Sequence, residues 1–206
     1  MTLWDITPVV SVETPAFPGD TTFSQHWTAR IGPGCPVNLS AITLSPHLGA
    51  HADAPLHYGV NAPGISEVSL EPFLGPCRVV HAIGCGPLIR PEHLAPVAAG
   101  LPPRVLVRTC VKAPTTWSSA FTAFAPETIG WLAQRGVRLV GIDAQSVDPA
   151  ESKTLDSHQQ LLAHDMRVLE NLVLDEVPPG DYELIALPLR LAGVDAAPVR
   201  AVLRSL

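Results

Sequence analysis

Proline is the residue that most limits this fold. The chain has 22 prolines in 206 residues, spread from end to end rather than gathered in one tract. Each fixes φ and lacks an amide hydrogen, so it stops or kinks a helix and is excluded from the interior of a sheet. The chain is therefore cut into short elements. Its length suits one domain with a sizeable core. No repeat, low-complexity segment or linker divides it, so one domain over residues 1–206 is expected.

Between the prolines the patterning predicts an α/β fold, a mixed sheet with few helices. Val37–Ser45 alternates apolar and polar residues, as a half-buried strand does. CRVVHAIG, Arg104–Thr109 and Val137–Asp143 read as further strands. Pro126–Gly136 reads as a helix, with Pro at its start, Ile129, Leu132 and Ala133 on one face and Gly at its stop. SHQQLLAHDMRVLENL has helical spacing at Leu161, Leu162, Met166 and Leu169. Tyr182–Leu191 reads as a late strand, and its proline makes it an edge or bulged one.

Composition narrows the function. Hydrophobic residues make up 47 % and charged residues 16 %, an apolar surplus that points to a subunit interface. No stretch approaches the ~20 uninterrupted apolar residues of a membrane helix, and MTLWDITPVV has no secretory pattern. A net charge of −6 without a basic cluster argues against nucleic-acid binding. Cys35, Cys77, Cys85 and Cys110 form no CxxC pair. They read as reduced thiols of a cytoplasmic protein.

One segment collects chemistry. SPHLGAHADAPLHYG holds His47, His51, Asp53 and His57 within eleven residues, with Gly49 and Pro55 between them. Imidazole nitrogens and a carboxylate oxygen are the donors that hold zinc or a similar divalent ion. A straight strand would put His47 and His57 ~33 Å apart, too far for one site. A helix would bring His47 and His51 together but turn Asp53 away, and Pro55 would end it. The segment must therefore leave a strand near Pro46 and bend, with Gly49 permitting the bend and Pro55 setting the exit.

HLGAHADAPLH fits HxGxHxDxPxH, and on that motif the chain resembles the cyclase family of metal hydrolases, most of all its bacterial kynurenine formamidase (arylformamidase) branch. The similarity extends to LWDITP, FPGD, VRLVGIDAQSVDPAESKTLDSH and DYELIALPLRLAGVDAAPVRAVLR. The resemblance implies the family's mixed-sheet α/β fold and a homodimer. It implies two divalent metal ions per chain, zinc or manganese. His47, His51 and Asp53 would bind one ion, Asp53 would bridge to the second, and His158 and Glu170 would complete the pair. It implies that His57 is the catalytic acid/base rather than a ligand. The aromatic residue before PGD would line the substrate pocket; that branch typically has Trp there, whereas this chain has Phe17. Phe keeps the aromatic face and lacks the indole N–H.

His158 and Glu170 pose a geometric problem. In one unbroken helix, residues twelve apart lie ~18 Å apart along the axis. Either His158 sits in a non-helical entry or the helix breaks before Glu170. His164, six residues from Glu170, is the rival ligand on spacing alone. His26, His81 and His93 have no partners at ligand spacing. Asp143, Ser146 and Asp148 follow a strand, where a carboxylate can orient a ligand histidine or simply form a turn. Ser146 lacks the GxSxG elbow of a nucleophile.

The activity implied is hydrolysis of N-formylkynurenine to kynurenine and formate, a step of tryptophan degradation. Water activated at the metal pair would attack the formyl carbonyl, and His57 would pass a proton to the departing aromatic amine. Two other readings stand beside it: a hydrolase of another aryl or cyclic amide, such as an isatin-like ring, and a metal-binding homologue without turnover. A binder would have no need of His57 beside intact ligands.

Overall fold

A computed structural model describes residues 1–206. The strands are β1 (Leu3–Asp5), β2 (Ser24–Ala29), β3 (Leu39–Thr43), β4 (His51–Asp53), β5 (Leu74–His81), β6 (Leu88–Ile89) and β7 (Arg104–Arg108). They continue with β8 (Ala123–Phe124), β9 (Leu139–Ile142), β10 (Arg167–Glu170), β11 (Gly180–Ile185), β12 (Ala196–Pro198) and β13 (Val202–Ser205). The helices are α1 (Pro91–Leu94), α2 (Pro126–Ala133) and α3 (Asp156–Ala163). None exceeds eight residues.

Nine strands form one mixed sheet in the order β1-β13-β11-β5-β7-β9-β10-β4-β12. The middle run β5-β7-β9-β10 is parallel and the flanks are antiparallel. The link between β12 and β13 sets the shape of this sheet. They are second from one edge and last at the other, yet only Val199–Ala201 joins them. A flat sheet would put them ~34 Å apart, at ~4.8 Å per strand, while Pro198 to Val202 spans at most ~14 Å of extended chain. The sheet must curl. Hydrogen bonds from Val173 N–H to Ile6 O (2.9 Å) and from Ile6 N–H to Ala201 O (3.0 Å) close the curl.

The curl separates two cores. Inside it lie Ile6, Ala52, Phe73, Leu106, Leu139, Leu169 and Leu203. Outside it, Val105, Val107, Val140, Ile142 and Val168 pack with Ile129 of α2 and Leu161 of α3. The alternation along β7, β9 and β10 is the pleat of strands buried on both faces. α2 starts at Pro126 and turns Ile129 and Leu132 inward, on the face that the sequence predicts.

Three sequence expectations need correction. The helix through Leu169 ends at Ala163. Asp165 takes φ 50°, and the N–H of Met166 bonds the carbonyl of Leu161 (2.9 Å) while that of Asp165 bonds Leu162 (3.3 Å), a Schellman stop. Beyond it, pairing with β9 and β4 captures Arg167–Glu170 as a strand, so sheet pairing overrides the local helical spacing. The late strand ends at Ile185, before Pro188, and is hydrogen-bonded on both sides by β5 and β13 rather than lying at an edge. β3 is a strand, but it pairs only with β2 in a separate ribbon and leaves Leu39 and Ile42 exposed. It is not half-buried. No helix is long and apolar enough to cross a membrane.

Candidate metal centre

The HxGxHxDxPxH segment divides into a turn, a strand and a second turn. Gly49 takes φ 71° in the first turn, and a Cβ there would lie 2.7 Å from Val10 Cγ2. Conformation and space therefore both demand glycine. β4 follows, so His51 and Asp53, two apart, point to one face while Ala52 points into the inner core. Pro55 starts a 3₁₀ turn over Pro55–His57 that brings His57 back toward the site. The register of β10 with β4 sets Glu170 opposite His51. Asn171, at φ 56°, turns the chain away directly afterwards.

His158 reaches the same place from α3. That helix has no side-chain cap of its own. Asp148 supplies one from a distance, accepting the backbone N–H groups of Ser157 (2.8 Å) and His158 (3.0 Å), where an anion also suits the helix dipole. The same carboxylate takes the Nδ1–H of His158 at 2.7 Å, the orienting role open to it in the sequence. Val147 N–H fixes Glu170 Oε1 at 2.8 Å. The helix break resolves the spacing problem: His158 Nε2 lies 3.6 Å from Glu170 Oε1. His164 ends α3 with its ring against Gly130 of α2, away from the cluster.

The predicted residues thus meet. His51, Asp53, His158 and Glu170 are all at least 95 % buried. A carbonyl oxygen only accepts, so the 2.8 Å contact of His51 Nδ1 with Gly49 O places a hydrogen on Nδ1. His51 Nε2 then faces Asp53 Oδ1 (3.3 Å) and Glu170 Oε2 (3.4 Å). His158 Nε2 faces Asp53 Oδ2 (3.3 Å) in the same way. His47 Nδ1 lies 3.1 Å from Asp53 Oδ1. Neither His51 Nε2 nor Asp53 Oδ1 completes an aligned hydrogen bond, although both atoms are buried. Buried lone pairs facing one another require positive charge between them. A divalent cation fits this donor set; without one, protons must serve.

The electrostatics of the cluster agree. Burial pushes the His51 imidazole down, but the bonds and charges of Asp53 and Glu170 outweigh it and raise its pKa to about 10. His158 is likewise raised to about 10, its burial outweighed by Asp148 and Asp53. Burial acts to raise Asp53, yet the three histidines hold it well below the usual carboxylate range. In metal-free protein at pH 8, His51 and His158 therefore carry protons that metal ligation must displace. Loading with a divalent ion is expected to release about two protons per chain, read by calorimetry in buffers of different ionisation enthalpy. Metal uptake without proton release would contradict this.

A cavity of about 500 Å³ opens on the cluster. Phe17 lines it and packs edge-on against Trp117, with ring centroids 5.9 Å apart. Lys153 is the only lysine or arginine in its wall. Among the wall residues not singled out in the sequence is Asp195, which contacts His47 and His57. It lies 138 residues beyond His57, in a tract with no local motif. The remaining histidines do local work. His81 Nε2 donates to Val177 O (2.9 Å), and His93 Nδ1 accepts from the N–H of Arg90 (3.0 Å). His26 is exposed on β2. Ser146 Oγ accepts the N–H of Asp148 (3.2 Å), a turn contact. Asp143 accepts the N–H groups of Thr109 (2.9 Å) and Cys110 (3.1 Å), which caps the end of β7.

Comparison with known proteins gives the family. The cyclase family model, described as "Putative cyclase", matches residues 4–149. The kynurenine formamidase of Bordetella pertussis is 67 % identical over 205 residues, covering 99 % of this chain and 98 % of that protein. The kynurenine formamidase of Delftia acidovorans is 64 % identical over 204 residues, with the same coverage. Among solved structures, "The Structure Of Potential Metal-Dependent Hydrolase With Cyclase Activity" superposes with a TM-score of 0.86 at 25 % identity, over 98 % of this chain and 96 % of that one. The chain belongs to the cyclase family of metal-dependent hydrolases, in its kynurenine formamidase branch.

Proposed function

We propose that this chain hydrolyses N-formyl-L-kynurenine to L-kynurenine and formate, using two divalent metal ions, read as zinc, per chain. The observation that carries the binuclear reading is the two-sidedness of Asp53 and Glu170. Asp53 Oδ1 and Glu170 Oε2 face His47 or His51, while Asp53 Oδ2 and Glu170 Oε1 face His158. His47, His51 and these two carboxylates would hold one ion, and His158 with the opposite oxygens would hold the other. Bound there, the ions supply Lewis acidity, which lowers the pKa of water and polarises the formyl carbonyl.

The chain's own residues do the rest. Asp148 and Val147 N–H orient His158 and Glu170, so the donor set is arranged before a metal arrives. His57, at the cavity wall, takes the proton of the attacking water and passes it to the aniline nitrogen as the C–N bond breaks. Phe17 offers an aromatic face to the substrate ring, and Lys153 a cation to its carboxylate. The reading includes a single domain, a cytoplasmic setting and a homodimer. Exposed Trp27, Leu39 and Ile42 on the β2–β3 ribbon suit a second copy.

The experiment is an absorbance assay of purified, metal-replete protein on N-formyl-L-kynurenine, with isatin as the competing substrate. The expected result is kynurenine and formate in equal amounts and little ring opening of isatin. Efficient isatin opening with no deformylation would overturn the reading.

A further inference from the structure

Asp195 is a carboxylate that the metal-binding residues leave unexplained. It follows a turn at Gly193, which takes φ 72°, and directly precedes β12. β12 pairs with β4 so that Ala196 sits opposite Asp53, and Ala54 N–H donates to Asp195 O at 2.8 Å. The sheet register thus carries Asp195 to the exit of the motif strand. There its Oδ2 meets two imidazoles at once: His47 Nε2 at 3.0 Å and His57 Nδ1 at 3.1 Å. The two rings lie side by side, with centroids 4.3 Å apart.

An ionised carboxylate only accepts hydrogen bonds, so both contacted nitrogens carry hydrogen. His47 Nδ1 also meets a carboxylate oxygen, Asp53 Oδ1 at 3.1 Å, so in metal-free protein it carries hydrogen too; metal ligation would displace that hydrogen while Asp195 keeps the one on Nε2. His57 Nε2, left bare, is free to take a proton. A ring nitrogen of His57 also lies within 4.8 Å of donor atoms of Asp53 and His158. Carboxylates orient metal-ligating histidines in this way, and they orient catalytic histidines by the same bond. Here one oxygen serves both.

We propose that Asp195 is a positioning residue that holds His47 in its metal-binding tautomer and His57 in its proton-transfer tautomer from a single carboxylate oxygen. The inference rests on the acid/base role given to His57 above. Its consequence is a physical link between metal affinity and proton transfer: one side chain sets both through the two imidazoles it holds. Asp195 is half-buried at the cavity wall, its side chain 39 % exposed, so its replacement does not open the core.

The test compares Asp195→Ala and Asp195→Asn, alone and with His57→Ala. Chelator competition should show ~10- to 100-fold weaker metal binding in Asp195→Ala. At saturating metal, its kcat should fall ~10- to 100-fold on formyl anilides with poor leaving groups. The fall should be smaller for activated anilides, with KM little changed. Asp195→Asn, whose amide oxygen still accepts, should recover part of both losses. In the His57→Ala background, Asp195→Ala should cost little further kcat, because the two act as a unit. Unchanged metal affinity with an unchanged leaving-group slope would overturn the proposal, as would losses that multiply across the double mutant. If His57→Ala itself costs nothing, the acid/base reading of His57 fails. If His57→Ala is damaging and Asp195→Ala is harmless, only the positioning role fails.

Discussion

Asp53→Ala is expected to yield a protein that retains almost no metal and almost no formamidase activity. Asp53 is the residue whose two oxygens face the two groups of histidines. Its removal strips a donor from both proposed ion sites, whereas losing any one histidine strips one. It also removes one of the carboxylates that raise each of His51 and His158 to a pKa of about 10, leaving Glu170 and Asp148 as their remaining partners. Elemental analysis after dialysis should find little bound ion, and activity should fall below that of the His57 variant. Asp53→Asn, which keeps the shape and loses the charge, should behave similarly. Retention of full metal content by both variants would show that Asp53 is not a ligand.

His57→Ala should keep its metal and lose hydrolysis. His57 is reached through the turn after Pro55, with Nδ1 engaged by Asp195 and its ring on the cavity wall. Acid–base groups contribute ~100- to 10,000-fold, and the loss of kcat should fall in that range. Sensitivity to the leaving group should rise, because a better aniline needs less proton donation. Metal loss in this variant would make His57 a ligand. Near-normal activity would place the proton elsewhere.

The site was more legible in the sequence than the fold was. His47, His51, Asp53 and His57 sit in one short segment because a strand two residues apart and a turn at each end can aim all four at one point. His158 and Glu170 needed the resemblance to choose them, since spacing alone left His164 as a rival. Their meeting depends on a Schellman stop at Asp165 and on the pairing of β10 with β4. Periodicity read Met166–Leu169 as helix because Met166 and Leu169 fit a 3.6 repeat. The parallel neighbour β9 and the antiparallel neighbour β4 decide otherwise. Local propensity cannot register partners that arrive from elsewhere in the chain.

Asp195 was illegible for the same reason. Nothing in GVDAAP marks a functional aspartate, and only the β12–β4 register brings it to His57. Asp148 was half-legible, since a carboxylate just beyond a strand is well placed to orient a ligand. The curl of the sheet was beyond sequence reading because it follows from strand order, which the short link Val199–Ala201 then constrains.

The proposed pair of ions at one buried cluster makes turnover depend on two bound ions per chain. The most direct test of that dependence titrates metal-free protein with zinc while recording bound ions per chain and turnover of N-formyl-L-kynurenine in the same samples. Activity should rise to its plateau only as the second ion binds, at two ions per chain. A plateau at one ion per chain, or turnover in the fully chelated protein, would contradict it.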